Sequence, residues 1–208
     1  MTLRPAVDSP RLWTVLCTVL AVGALAAGLA PPGLRESLDW QPTRWAGQPW
    51  RWWTAAVVHW SLPHLIGNLA GLAVVAALGC VTPLSTGLAL AWAASWPLTH
   101  LALLTRPELA HYGGLSGVLH GAVAVAALAL MTQPDNRRRS IGAAIAVGLT
   151  LKITLENPMG PTLRPLEGWH IAAAPFAHLA GALAGAGCAA VVLIRQRWRS
   201  KQARDARN

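Results

Sequence analysis

Charge is scarce in this chain: Asp, Glu, Lys and Arg make up 12% of its 208 residues, against 54% hydrophobic. Soluble domains carry about a quarter of their residues as charges, so a water-facing globule is excluded and a membrane class follows. Acidic residues number only eight, and no His-Glu-x-x-His string occurs, which removes the usual signature of a zinc protease. Cysteine is limited to Cys17, Cys80 and Cys188, an odd count inside apolar stretches and without metal-type spacing. A disulfide framework and a thiolate metal site are therefore excluded, and the three read as small apolar filler. Low-complexity linkers and internal repeats are also missing, so one integral domain is expected.

What the chain does have is apolar length. Six stretches, 12–30, 56–81, 84–104, 114–133, 141–156 and 169–194, approach the roughly 20 residues that a helix needs to cross about 30 Å of hydrocarbon. The fold class expected is all-α, a six-helix polytopic membrane domain over 12–194, with a short N-terminus at 1–11 and a basic tail at 195–208. The fifth stretch is short and carries Lys152 and Glu156, so its end must lie against protein or water. That pair, four residues apart, reads first as a structural ion pair and otherwise as groups facing partners in the protein or an incoming substrate.

Basic residues orient the bundle. Arg4, Arg11, Arg137, Arg138, Arg139 and the tail from Arg195 to Arg207 hold eleven of the seventeen, all on one side if six helices alternate. Short cytoplasmic loops retain Lys and Arg, so both termini are expected in the cytoplasm. The formal charge of +9 is thereby a topology signal, and no nucleic-acid partner is expected. A basic start before an apolar run also fits a cleaved signal peptide. In either case the next segment emerges outside.

That segment, 31–55, holds Trp40, Trp45, Trp50, Trp52 and Trp53 among Pro, Gly and charged residues. Indole prefers the headgroup region, so an interfacial anchor and a structured outer loop beside a working site both fit.

Polar groups inside spans cost several kcal/mol unless paired or hydrated, and each is a functional candidate. His64 and Asn68 lie four apart on one helical face, which suits either an interhelical hydrogen-bonding device or a site. Ser116 stands in Gly113-Gly114-Leu115-Ser116-Gly117 at the start of the fourth stretch, where glycine allows close approach and a first helical turn leaves N–H groups free. His178 lies deep in the sixth. Gly113, Gly117 and Gly121 repeat every four residues, as do Ala177, Gly181 and Gly185, and such stripes let membrane helices pack closely. Contact between them would bring the Ser116 hydroxyl to the His178 imidazole, the pairing that nucleophilic catalysis requires. None of the acidic residues lies in the sixth stretch, which points to a Ser/His dyad without an orienting carboxylate. His120, one turn beneath Ser116, is the internal rival for the base and otherwise a residue that tunes the site. His59, His100, His111 and His170 read as loop or interfacial residues, with His59 the one expected to border the site.

Taken in order, Trp50-Arg51 in the first outer loop, His59, His64 and Asn68, Gly114-Leu115-Ser116-Gly117, and Ala177-His178 with Gly181 resemble the rhomboid proteases. The resemblance implies a rhomboid-like bundle with Ser116 as nucleophile and His178 as base. It also implies that His64 and Asn68 donate to the oxyanion alongside backbone N–H groups near Ser116, that of Leu115 among them, with Gly114, Gly117, His120 and His59 bordering the site. No cofactor or metal is implied. The segment from Gly114 to Gly121, the Lys152–Glu156 pair and the compact length are similar to the rhombosortase branch. That branch implies transmembrane substrates bearing a C-terminal sorting tail, with a Gly-Gly motif, an apolar helix and a basic end. Such tails would be cut at the outer face of a bacterial inner membrane, with water or another acceptor resolving the acyl-enzyme. A catalytically inactive rhomboid-like protein that binds transmembrane clients is the alternative.

Overall fold

A computed structural model describes residues 11–168 and 171–206. Residues 1–10 of the expected N-terminus, His170 and residues 207–208 of the basic tail lie outside them. The chain runs α1 (Arg11–Leu29), α2 (Pro32–Leu38), α3 (Arg51–Thr54), α4 (Leu62–Val81), α5 (Thr86–Ala102), α6 (Ser116–Met131), α7 (Asn136–Leu155), a hairpin of β1 (Arg164–Leu166) and β2 (Ile171–Ala173), and α8 (Pro175–Asp205). The hairpin is antiparallel, with Arg164 opposite Ala173, and is a small departure from the all-α expectation.

Helix starts follow local chemistry. Ser61 caps α4 by accepting from the His64 N–H at 3.3 Å, with Pro63 in the first turn where its missing N–H costs nothing. Asp135 caps α7 through the Arg137 N–H at 3.0 Å. The second stretch begins six residues later than its hydropathy suggests, because 51–57 coil into α3 and a short 3-10 turn.

Among the described residues, four helices are long and apolar enough to cross a membrane: Arg11–Leu29, Leu62–Val81, Thr86–Thr105 and Pro175–Asp205. Two of the six expected spans fall short by that measure. α6 is apolar but has only sixteen residues, which at 1.5 Å each rise about 24 Å. α7 carries Arg137, Arg138, Arg139 and Lys152 and is mostly exposed.

α6 is the centre of the bundle. Twelve of its sixteen residues are buried, and it packs against α4, α5, α7 and α8. Two indoles tie the rest together: Trp13 Nε1 donates to the Val75 carbonyl and Trp92 Nε1 to the Val118 carbonyl, each at 3.0 Å. α8 lies closest to α6, and glycine is the reason. A Cβ on Gly121 would come within 3.0 Å of the Gly181 carbonyl oxygen, and one on Gly117 within 2.9 Å of the Ala177 carbonyl oxygen. In the other direction, side chains at Gly181 and Gly185 would run into the Gly117 and Gly121 carbonyls. Gly113 corrects the expected stripe. Because α6 begins only at Ser116, helical periodicity does not reach back three residues, and Gly113 packs instead on Val58, whose Cβ lies 2.9 Å from the position of its missing one.

The tryptophan-rich segment is a folded loop held by a buried ionic knot. Asp39 is wholly buried and receives Arg51 Nη1 at 2.8 Å and His111 Nδ1 at 2.6 Å. Arg51 also donates to the Glu36 and Asp39 carbonyls at 2.8 and 2.6 Å. Trp40 is buried beside it and exchanges backbone hydrogen bonds with Tyr112, which fastens the loop to the segment leading into α6. Trp45, Trp50 and Trp53 remain exposed, as an interfacial belt requires. Arg51→Ala leaves the Asp39 carboxylate buried with His111 and the neutral Gln41 amide, without its guanidinium partner. A loss of about 3–5 kcal/mol is expected, with Arg51→Lys recovering only part. Thermal unfolding in detergent micelles measures it.

Candidate active site

Ser116 is the first residue of α6, and its position is fixed from behind by Gly114. Gly114 has φ of 137°, a region that side chains rarely adopt, and a Cβ there would sit 2.8 Å from His64 Nε2 and 3.6 Å from Asn68 Nδ2. The glycine thus lets two α4 side chains close on the backbone beside the serine. Gly114 N–H is taken by the Ala55 carbonyl at 3.0 Å, so it is not free for a ligand. Asn68 Nδ2 is buried with no hydrogen-bond partner among the described residues, and so offers an unspent donor.

Across the α6–α8 contact, His178 Nε2 lies 2.9 Å from Ser116 Oγ. His178 Nδ1 lies 2.6 Å from Glu156 Oε2. A carboxylate accepts only, so Nδ1 carries the proton in this arrangement and Nε2 is left to accept from the serine hydroxyl. The second oxygen of Glu156 holds Lys152 Nζ at 2.6 Å. The expected Lys152–Glu156 ion pair therefore exists, but its acid has a second partner. A carboxylate therefore stands behind the histidine, where the sequence pointed to none. It comes from the end of α7, so searching the sixth stretch for acids could not find it.

His120 stacks on His178 with ring centroids 4.2 Å apart and planes at 7°. Its Nδ1 bonds the Ser116 carbonyl at 2.6 Å, not the hydroxyl, so it braces the first turn of α6 and one face of the other imidazole. His59 meets His64 edge to face at 4.8 Å and bonds the Val57 carbonyl through Nδ1 at 3.0 Å, which puts it behind His64. His100 is buried instead of interfacial, bonding the Trp52 carbonyl at 2.6 Å. Leu115 is fully buried as the residue preceding α6.

Residues 46–195 match the rhomboid domain. The chain belongs to the rhomboid family. The match takes in Ser116, His178, His64 and Asn68, and with them more than half of the sequence. No individual curated protein matches the chain. Membership makes this a multi-pass membrane protein of an intramembrane protease family that acts on transmembrane substrates within the bilayer.

Tyr112, in the segment before α6, also lines this site and carries no signal in the sequence. Its hydroxyl would lie 3.3 Å from a Cβ on Gly117, and burial pushes the phenol above its ordinary range, so it stays a donor. A cavity of about 570 Å³ opens onto Ser116 and His178 and runs between α4 and α7, past Gly67, Gly71 and Gly148, with β2 above it. His120, Glu156 and His178 each offer a metal-ligand atom within 4.8 Å of the others. Their geometry suits a metal poorly: both nitrogens of His178 are engaged, and the stacked rings set their lone pairs side by side instead of converging.

Proposed function

We propose that this rhomboid is an active intramembrane serine endopeptidase in which Ser116 is the nucleophile and His178 the base. The observation that carries the reading is the 2.9 Å separation of Ser116 Oγ and His178 Nε2 across two helices pressed together by glycine. A substrate helix enters from lipid between α4 and α7, where glycines leave room for its backbone. Its upper end unwinds, since a peptide carbonyl held in a helix cannot be presented to Ser116, and Gly lowers that cost by about 1 kcal/mol per residue. Ser116 Oγ bonds the carbonyl carbon as His178 Nε2 takes the hydroxyl proton. The oxyanion forms beside Asn68 Nδ2 and His64 Nε2, each donor contributing about 3–4 kcal/mol in a poorly hydrated pocket. Collapse breaks the C–N bond, and His178 gives its proton to the leaving amine. Water, or another nucleophile, then releases the acyl group.

The substrates on this reading are membrane proteins ending in a sorting tail, with Gly-Gly ahead of an apolar helix and a basic end. The short rise of α6 supports a site below the membrane surface, because a helix of about 24 Å starts beneath the level that a full span reaches. With six spans and basic termini in the cytoplasm, the site opens on the periplasmic side of a bacterial inner membrane. Incubating purified enzyme with a tail-anchored protein that carries Gly-Gly before its helix, then weighing the product, tests substrate and acceptor together. Cleavage beside the Gly-Gly pair is the expected result; an intact tail, alongside cleavage of unrelated transmembrane segments, would reject the sorting-tail assignment. A chelator such as EDTA is expected to leave the rate unchanged, and loss of cleavage restored by added zinc would contradict the serine mechanism.

A further inference from the structure

We propose that Glu156 is a positioning residue for His178, holding the proton on Nδ1 so that Nε2 faces Ser116 as the acceptor. The inference rests on the assignment of Ser116 and His178 above and adds what holds the base. Glu156 reaches the site because α7 stops there. It is the C-cap of the helix, its N–H accepted by the Ile153 and Lys152 carbonyls, and Asn157 follows with φ of 52°, turning the chain away. Its side chain is about one-quarter exposed, while that of His178 is 9% exposed. The carboxylate therefore lies at the rim and reaches inward to the buried ring.

Three observations make the contact more than a helix-end pair. The Glu156 Oε2 to His178 Nδ1 distance is 2.6 Å, as short as its bond to Lys152. The other nitrogen of the same ring meets Ser116 Oγ at 2.9 Å, so the carboxylate, imidazole and hydroxyl form one continuous line. The neighbours that could otherwise fix the ring are committed elsewhere: His120 stacks on its face and bonds the Ser116 carbonyl, and Lys152 bonds the far oxygen of Glu156. Without an acceptor at Nδ1 the neutral ring is free to carry its proton on Nε2, where it cannot accept from serine. The wrong tautomer is known to be costly in serine proteases, where it lowers kcat by about 10⁴-fold. Glu156 shares its charge with Lys152 and is partly wet, so a smaller effect is expected here.

The test compares Glu156→Gln with Lys152→Gln in the full-length enzyme, with Ser116→Ala as the reference for chemistry. Glu156→Gln is expected to lower kcat by about 100-fold with KM changed by less than about twofold. Lys152→Gln, which breaks the helix-end pair but leaves Nδ1 its acceptor, is expected to lose no more than about threefold. Glu156→Asp should recover part of the loss. In ¹⁵N-histidine spectra, the Nδ1-protonated form of His178 should dominate in the parent enzyme and in Lys152→Gln, and lose its dominance in Glu156→Gln. Where a variant lowers the yield of folded enzyme, the rate of fluorophosphonate labelling of the folded fraction reads the same contrast. Equal losses in the two glutamine variants, or an unchanged tautomer in Glu156→Gln, would show a structural ion pair and overturn the proposal. If Ser116→Ala itself keeps activity, the underlying assignment fails, and that outcome is separate from the other two.

Discussion

Ser116→Ala is expected to reduce peptide-bond cleavage by at least about 10⁴-fold while leaving the protein folded and inserted. The hydroxyl is small, and its removal opens little space. Its neighbours keep their other bonds, since His178 retains Glu156 and the Ser116 carbonyl retains His120. What disappears is the atom proposed to bond the carbonyl carbon. The cavity, its α4 donors and its lipid-facing gap all remain, so the variant should still bind transmembrane substrate. An inactive client-binding protein would show no difference between Ser116→Ala and the parent, because neither would cut. Mass spectrometry of substrate after equal incubation separates the two cases.

Gly181→Ala should also be damaging, although it touches no reacting atom. A methyl group there would run into the Gly117 carbonyl, and both partners are backbone, so neither can rotate aside. The helices must part. Gly117 follows Ser116 directly and Gly181 lies three residues beyond His178, so separation at this point lengthens the Oγ to Nε2 distance from its 2.9 Å. A misplacement of about 1 Å costs on the order of 100-fold in rate, and a loss of at least that size is expected in kcat. Fluorophosphonate labelling of Ser116 should fall in parallel, because it depends on the same activated hydroxyl. By contrast Gly187, whose added Cβ meets nothing, should accept alanine with full activity and serves as the control on α8. Equal activity in the two alanine variants would mean that the α6–α8 contact does not set the site.

Much of this architecture is legible in the sequence because membranes constrain it severely. Apolar length locates the helices, and polar groups too costly to leave in lipid mark Ser116, His178, His64 and Asn68. Glycine spacing at Gly117, Gly121, Gly181 and Gly185 points to the helix pair that carries the two central side chains, though it overreaches at Gly113, where the helix has not begun. What sequence periodicity misses depends on where helices end and how loops fold back. Glu156 becomes a partner of His178 only because α7 terminates there, and side chains 22 positions apart leave no spacing signal. Tyr112 and Asp39 sit in connecting segments, where no period exists to place them. The contact between Asp39 and Arg51 was hidden for the same reason: Trp50-Arg51 reads only as part of the first outer loop, yet one side chain faces outward and the other is buried in an ionic knot.

The relation between Ser116 and His178 is open to one direct measurement. Parent and His178→Ala enzymes, both reconstituted in micelles, are treated with a fluorophosphonate and digested, and the adduct is located and quantified by mass spectrometry. A single adduct on Ser116 in the parent, slowed by at least about 100-fold in His178→Ala, is the expected result. Labelling of a different serine, or of Ser116 at the same rate in both proteins, would mean that this hydroxyl does not pass its proton to that imidazole.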